Sequence, residues 1–213
     1  MISRTLLLDI YQRRKLSVST IAKMLDCSQS KVNYWLDKHS IKKRTISEAI
    51  YSYKNPHGDP FLFKKISTKE EWFLLGLGIG LFWGEGTKSD KNAIRLGNSD
   101  PHLVKWFLIY LEKVYGVSRS QCKFGLQVFE TDDCKKIMTF WGHVLGVPRK
   151  NFYSPIIKKK TAKGSYNRFV EHGVLTVYFN NTKLRNTFLA QLENMKKADI
   201  ITDVLLKTLH KPM

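Results

Sequence analysis

The chain has 213 residues, of which 43% are hydrophobic, so it can form a domain of moderate size with its own core and a second, smaller one. Lys and Arg number 36 against 18 Asp and Glu, which gives a formal net charge of +18 and excludes a charge-balanced surface. Such an excess of positive charge indicates a polyanionic partner, for which nucleic acid is the first expectation.

The three cysteines, Cys27, Cys122 and Cys134, are scattered along the chain. They form no C-x-x-C pair and no zinc-binding spacing, so disulfides and structural zinc are disfavoured and a cytoplasmic, nucleoid-associated location is expected. The apolar run from Trp72 to Gly84 contains 13 residues. A bilayer-spanning helix needs about 20 apolar residues, so no membrane partner is expected.

Residues 18–36 predict a helix, a tight turn and a second helix. Ser19 or Thr20 is expected to cap the first helix, and Ser28 the second. Asp26 stands in the turn, where a residue that tolerates the left-handed conformation is needed. The apolar residues expected to pack the two helices together are Ile21, Ala22, Leu25, Val32, Trp35 and Leu36.

The outward positions of the second helix carry short polar, amide and basic side chains, which suit base edges and phosphates in a major groove. The pattern resembles the helix-turn-helix of resolvase-type and sigma-factor-type DNA-binding domains, and this resemblance implies double-stranded DNA as the partner. The apolar positions alone would also fit any small helical bundle. The predicted DNA contacts of this segment are Ser28, Gln29, Ser30, Lys31, Asn33, Tyr34, Lys38, Lys42, Lys43 and Arg44.

A linker is predicted after this segment, because Asn55–Pro60 contains two prolines and one glycine within six residues. We therefore place a helix-turn-helix domain at residues 1–50, a linker at 51–66 and a second domain at 67–213.

The second domain opens with an apolar helix in which Gly76, Gly80 and Gly84 recur every four residues. Each glycine inside a helix costs about 1 kcal/mol relative to alanine, so three on one face need a reason. A glycine groove lets a second backbone approach closely, although ordinary packing within the chain would also explain it. Glu85 stands at the end of this helix, and Gly86 is expected to terminate it.

The segment Gly80–Gly86, with the sequence GLFWGEG, resembles the LAGLIDADG motif, whose last residues are G-L-I-D-A-D-G. In that family two such helices pack side by side, and the final acid of each binds a divalent metal at the scissile phosphates of duplex DNA. The resemblance implies that Glu85 is the catalytic metal ligand, with Mg²⁺ or Mn²⁺ as cofactor. Glu replaces Asp at that position, and Trp83 replaces the first acid of the motif.

No second copy of the motif is present, since the predicted helix ending at Leu145 lacks both spaced glycines and a terminal acid. The resemblance therefore implies a homodimer that pairs through Gly76, Gly80 and Gly84. A degenerate second half within the same chain is the other option.

The rest of the chain alternates strands and helices, which predicts an α+β fold. An antiparallel sheet backed by helices on one face is expected, as in the LAGLIDADG saddle. The predicted strands are Ala93–Leu96, Lys123–Phe129, Phe152–Lys158 and Val174–Phe179. The predicted helices run from a cap at Asp100 to about Tyr115, from a cap at 131–133 to Leu145, and from about Lys183 to Met195.

The strands carry the basic side chains expected to face DNA. Residues 134–170 contain nine Lys or Arg and no acid, which favours a phosphate-facing surface. A basic hairpin is predicted between the last two strands. The predicted DNA contacts of the second domain are Arg95, Lys123, Gln127, Lys158, Lys159, Lys160, Lys163 and Arg168, and either Lys123 or Lys158 is a candidate to stabilise a phosphate transition state.

Two hypotheses follow. One is a metal-dependent DNA endonuclease of the LAGLIDADG type with an added helix-turn-helix. The other is a transcription regulator that keeps a degenerate form of this fold and does not cleave. The acid at position 85 favours the endonuclease, whereas the helix-turn-helix and the single motif favour the regulator.

Overall fold

The computed structural model describes residues 1–159 and 171–197. The predicted DNA contacts Lys160, Lys163 and Arg168 lie outside these residues. The chain divides into two compact units, and the second begins at Phe61, inside the segment expected to be the linker. None of the described helices is long and apolar enough to cross a membrane.

The first unit is helical. Its helices are α1 (Arg4–Leu7), which continues as a π-helical turn over Leu8–Arg13, α2 (Val18–Met24), α3 (Gln29–Lys38) and α4 (Ile46–Lys54). The sequence analysis did not predict α1 and its π-helical turn, yet this segment supplies much of the core of the first unit. The buried apolar side chains are Ile2, Leu7, Ile10, Tyr11, Ile21, Ala22, Val32, Leu36 and Ile41.

The α2–turn–α3 segment has the predicted order, with one correction. Ser17 caps α2 by accepting a hydrogen bond from the backbone N–H of Thr20 at 3.0 Å, so the expected caps Ser19 and Thr20 lie inside the first turn. Asp26 has a φ of 45°, the left-handed conformation expected for the turn. Ser28 caps α3 as predicted.

The second unit mixes helices and strands, which confirms the α+β prediction. Its helices are α5 (Lys69–Glu85), α6 (Pro101–Tyr115), α7 (Cys134–Leu145) and α8 (Thr182–Lys197). Its strands are β1 (Ile94–Asn98), β2 (Lys123–Phe129), β3 (Ile156–Lys158) and β4 (Val174–Phe179). Together with the first unit, the described residues form eight α-helices and one four-stranded sheet.

The sheet has the order β1-β4-β2-β3, and it is mixed rather than wholly antiparallel. β4 is antiparallel to both β1 and β2, but β3 is parallel to β2. The reason is that α7 connects β2 to β3 as a crossover, which returns the chain to run in the same direction. The predicted hairpin between β3 and β4 is also wrong for the described strands, because β2 lies between them.

Alternate strand residues are buried, so one face of the sheet packs against the helices and the other is open. The buried strand residues are Ile94, Leu96, Phe124, Leu126, Val128, Leu175, Val177 and Phe179. They form one core with the helical side chains Phe82, Phe107, Tyr110, Trp141 and Phe188.

Within the chain, the glycines that α5 needs for close packing are Gly78 and Gly86, and not the predicted pairing positions. A Cβ at Gly78 would overlap the ring of Tyr110 on α6, and one at Gly86 would overlap the ring of Phe82. Gly86 ends α5 in an extended conformation, with φ −74°, rather than in the left-handed one that usually selects glycine. By contrast, no atom lies within 4 Å of where a Cβ would stand on Gly76, Gly80 or Gly84.

Candidate nucleic-acid interface

Helix α3 presents a continuous polar surface to solvent. Its buried residues Val32 and Leu36 fix one side of the helix against the core of the first unit. The opposite side therefore faces outward. Of the predicted contacts, Ser28, Gln29, Ser30, Lys31, Tyr34 and Lys38 are exposed and Asn33 is half-buried.

Positive charge gathers at the C-terminal end of α3. The Lys38 ammonium lies 5.0 Å from the centroid of the Trp35 ring and 3.4 Å from the Tyr34 hydroxyl. Lys43 forms an ion pair with Asp37 at 2.7 Å, with side chains 40% and 66% exposed. Such an exposed ion pair contributes little to stability and breaks readily, so Lys43 as well as Lys38 can reach a phosphate.

Arg44 differs from its basic neighbours because its side chain is used inside the first unit. Its guanidinium donates to the backbone carbonyls of Lys15, at 2.8 Å, and Leu16. It also stacks over the Tyr11 ring at 4.3 Å. These contacts tie the loop after α1 to the segment after α3, whereas Lys42 remains exposed.

On the open face of the sheet, Arg95, Tyr178 and Lys123 lie side by side on β1, β4 and β2. The Arg95 guanidinium stacks on the Tyr178 ring at 4.8 Å and donates to its hydroxyl at 3.2 Å. Lys123 donates to the carbonyl of Lys150 at 3.0 Å. The row joins two cations to one aromatic ring, a combination that suits phosphates and bases.

Asp90 holds Arg95 in place. The backbone N–H groups of Asn92 and Ala93 donate to its carboxylate at 2.8 and 2.9 Å, and Arg95 donates to it at 3.3 Å. These hydrogen bonds, led by that from Asn92, hold the pKa of Asp90 below its usual range. The Arg95 guanidinium is therefore held in position by its contacts with both Asp90 and Tyr178.

The next row of the open face contains two glycines. Gly97, Thr176 and Gly125 are paired across β1, β4 and β2, so Thr176 carries the only side chain in this row. A Cβ at Gly125 would stand 3.0 Å from the Tyr178 ring, which shows that the ring lies over this glycine. Gln127 follows on β2 opposite Val174. A Cβ at Gly97 would likewise stand 3.1 Å from the hydroxyl oxygen of Thr176, so both glycines make room for side chains of β4.

Sequence reasoning missed Tyr178 and Thr176, although a signal was present. Val174–Phe179 was predicted as a strand, and its alternation places Leu175, Val177 and Phe179 towards the core. The two intervening polar residues had to face outward, next to Arg95 and Lys123.

Glu85 is exposed at the C-terminal end of α5. Lys88, which was not predicted, lies at the same helix end, where its ammonium donates to the carbonyl of Trp83. Arg185 of α8 donates to the carbonyl of Lys88 at 2.9 Å. A cation at a helix C-terminus is favourable, and here the chain supplies one beside Glu85.

The two candidate catalytic lysines lie at opposite ends of β2. Lys158 pairs with Phe129 at the far end of β2 from Lys123, so the two lysines are about 20 Å apart along the strand. Lys158 and Lys159 are exposed at the β3 edge of the sheet. No group of three or more His, Cys, Asp or Glu in the described residues could hold a metal ion. Within one described chain Glu85 supplies a single carboxylate, whereas Mg²⁺ is commonly held by one or two carboxylates together with phosphate oxygens, so the expected Mg²⁺ or Mn²⁺ stays a prediction.

The chain matches no protein-family profile, and no curated protein or solved structure is significantly similar to it. The resemblances to the LAGLIDADG motif and to helix-turn-helix domains remain expectations drawn from the residues themselves.

Proposed function

We propose that this protein binds double-stranded DNA in a sequence-specific manner. The observation that carries the proposal is the outward face of α3, where amide, hydroxyl and basic side chains stand on a helix anchored by Val32 and Leu36. A major groove admits a single α-helix, and its base edges are recognised by such side chains.

Within α3, the side chains divide into two roles. Gln29, Ser30 and Asn33 lie in the N-terminal half, the part that contacts base edges in helix-turn-helix docking. Lys31, Lys38 and the exposed lysines after the helix suit phosphates, whose contacts fix the position of a protein on the duplex.

The second unit supports the same partner. Arg95, Tyr178 and Lys123 form a cationic row on the open sheet face, and the formal charge of +18 provides a long-range attraction to a polyanion. The two units would then supply separate DNA contacts.

A second copy of the chain is the proposed partner of α5. This helix is apolar from Trp72 to Gly84, yet Trp72 and Trp83 are 60% and 42% exposed. A helix that is apolar on all sides is normally buried. The open glycines Gly76, Gly80 and Gly84 would allow a second α5 to cross closely, and a two-fold dimer would bind a two-fold symmetric DNA site.

Selection from random duplexes tests the proposal. A selected site should be bound by the parent, and the variant Gln29→Ala/Asn33→Ala should lose about 1–3 kcal/mol for each base contact while its non-specific binding is retained. The matched control is Asn194→Ala, which removes an exposed amide from α8. If the double variant binds the selected site as tightly as the control, α3 does not contact the base edges.

DNA cleavage is a second candidate function. It is favoured by the exposed carboxylate of Glu85 at the C-terminal end of α5. Pairing of two α5 helices is the arrangement that would bring two such carboxylates to one DNA site. As an endonuclease, the parent and the control Glu130→Gln should cut the selected site in Mg²⁺ or Mn²⁺, whereas Glu85→Gln should bind without cutting. A parent that binds specifically but cuts in neither metal would leave the regulator as the function.

A further inference from the structure

A groove of about 680 Å³ lies between α5 and α6, on the helical side of the sheet and away from the cationic row. Phe73, Leu74, Trp106 and Ile109 form its apolar floor. Phe73 and Trp106 meet edge to face, with ring centroids 6.4 Å apart, and are 62% and 44% exposed. Two large aromatic rings therefore remain uncovered at the helical surface.

The rim of the groove is basic. Lys64, Lys69 and Lys113 line it, and none forms an ion pair with another described residue. Two acids also line it. Glu71 accepts hydrogen bonds from the backbone N–H groups of Ser67 and Thr68 in the cap of α5, at 2.9 and 3.2 Å. These hydrogen bonds, and the charge of Lys64, hold the pKa of Glu71 below its usual range, so Glu71 remains ionised and attracts Lys64. With Glu70, the rim carries three positive and two negative charges, and Lys69 and Lys113 are the lysines most available to a ligand.

The shape of the groove favours a segment of polypeptide over a small molecule. A small-molecule site encloses most of its ligand, whereas the half-exposed rings here leave the groove open. On α6 the groove runs from Trp106 to Lys113, about 10 Å along the helix axis, which matches about two turns of a docked helix.

We propose that this groove binds an acidic amphipathic helix of a partner protein. Apolar side chains of that helix would contact Phe73 and Trp106, and its carboxylates would contact Lys64, Lys69 and Lys113. Helices commonly dock into grooves in this way, through apolar anchors one turn apart. The groove faces away from the proposed DNA surface of the sheet, so binding there is independent of DNA recognition by that face.

The probe is a synthetic helical peptide with Leu at the anchor positions and Glu elsewhere, labelled for fluorescence anisotropy. A second peptide carries Lys in place of every Glu. The full-length parent should bind the acidic peptide and not its basic counterpart. Trp106→Ala should weaken binding about 30-fold, as expected when an aromatic anchor is lost. Phe73→Ala is a second variant in case the first does not fold.

Lys113→Glu tests the rim, with Lys136→Glu, an exposed charge reversal on α7, as its matched control. Lys113→Glu should weaken binding of the acidic peptide about five-fold, and Lys136→Glu should leave it unchanged. Equal effects of the two reversals would show general attraction to a basic protein and overturn the proposal. Failure of the parent to bind the acidic peptide would also overturn the proposal. If the peptide does not bind and Trp106→Ala changes the oligomeric state of the protein, the groove is occupied by a second copy of the chain.

Discussion

Replacing Gly80 by alanine separates the stability of the protomer from the pairing of α5. No atom lies within 4 Å of the added Cβ, so the protomer has room for it. Alanine at an exposed position inside a helix is more favourable than glycine by about 0.5–1 kcal/mol. The isolated protomer should therefore become more stable. If a second α5 crosses at this glycine, however, the methyl group separates the two backbones and the dimer weakens.

Gly78→Ala is the matched control, because it makes the same change two residues earlier in the same helix. Its Cβ would overlap the ring of Tyr110. Overpacking of this kind costs about 1–3 kcal/mol, which exceeds the gain in helix propensity. Gly78→Ala should therefore destabilise the protomer itself.

The assays are sedimentation velocity over a range of protein concentrations, and urea unfolding at concentrations where the protein is monomeric. Gly80→Ala should dissociate at concentrations where the parent is dimeric, while its monomer unfolds at a higher urea concentration. A Gly80→Ala variant that dimerises like the parent, or a parent that is monomeric throughout, would refute pairing through the glycine groove.

Three further predictions concern charge and burial. If about six phosphates are contacted, DNA affinity should fall about 10³-fold between roughly 50 and 200 mM salt, and a flat response in a filter-binding titration would contradict nucleic-acid binding. Burial raises the pKa of Cys122 to about 12, so iodoacetamide at neutral pH should modify Cys27 and Cys134 but leave Cys122 intact in mass spectra of the folded protein. Because the folded-state pKa of Asp90 lies below its ordinary value of 3.8, its stabilisation is present above pH 3.8 and is lost as the pH falls through the folded value. Unfolding curves of Asp90→Asn and the parent should therefore differ at pH 7 and converge in acid, and curves that stay equally far apart would contradict this.

The elements that could be predicted from the sequence were those with strong local signals. Lys123–Phe129 and Val174–Phe179 alternate apart from one apolar end residue each, Phe129 and Val174, and have the predicted bounds. Asp100 caps α6 with Pro101 at its first position, as expected. Helix α1 was missed, because four helical residues followed by a π-helical turn carry little periodicity.

Long-range features could not be deduced in the same way. The direction of β3 depends on the crossover of α7, which no residue of Ile156–Lys158 encodes. The packing role of Gly78 depends on Tyr110, 32 positions further along the chain. For the candidate site, the exposed face of α3 was predicted correctly, but the internal use of Arg44 depends on carbonyls of a loop that only the fold brings near.

The most direct test of the central claim compares the affinity of the full-length protein for its selected duplex with that for an unrelated duplex at the same salt concentration. Sequence-specific binding predicts a ratio of about 10³ or more, and a selected site with two-fold symmetry if the protein acts as a dimer. If selection enriches no sequence, or if the two affinities are equal, the protein does not recognise DNA sequence and the function proposed for α3 is wrong.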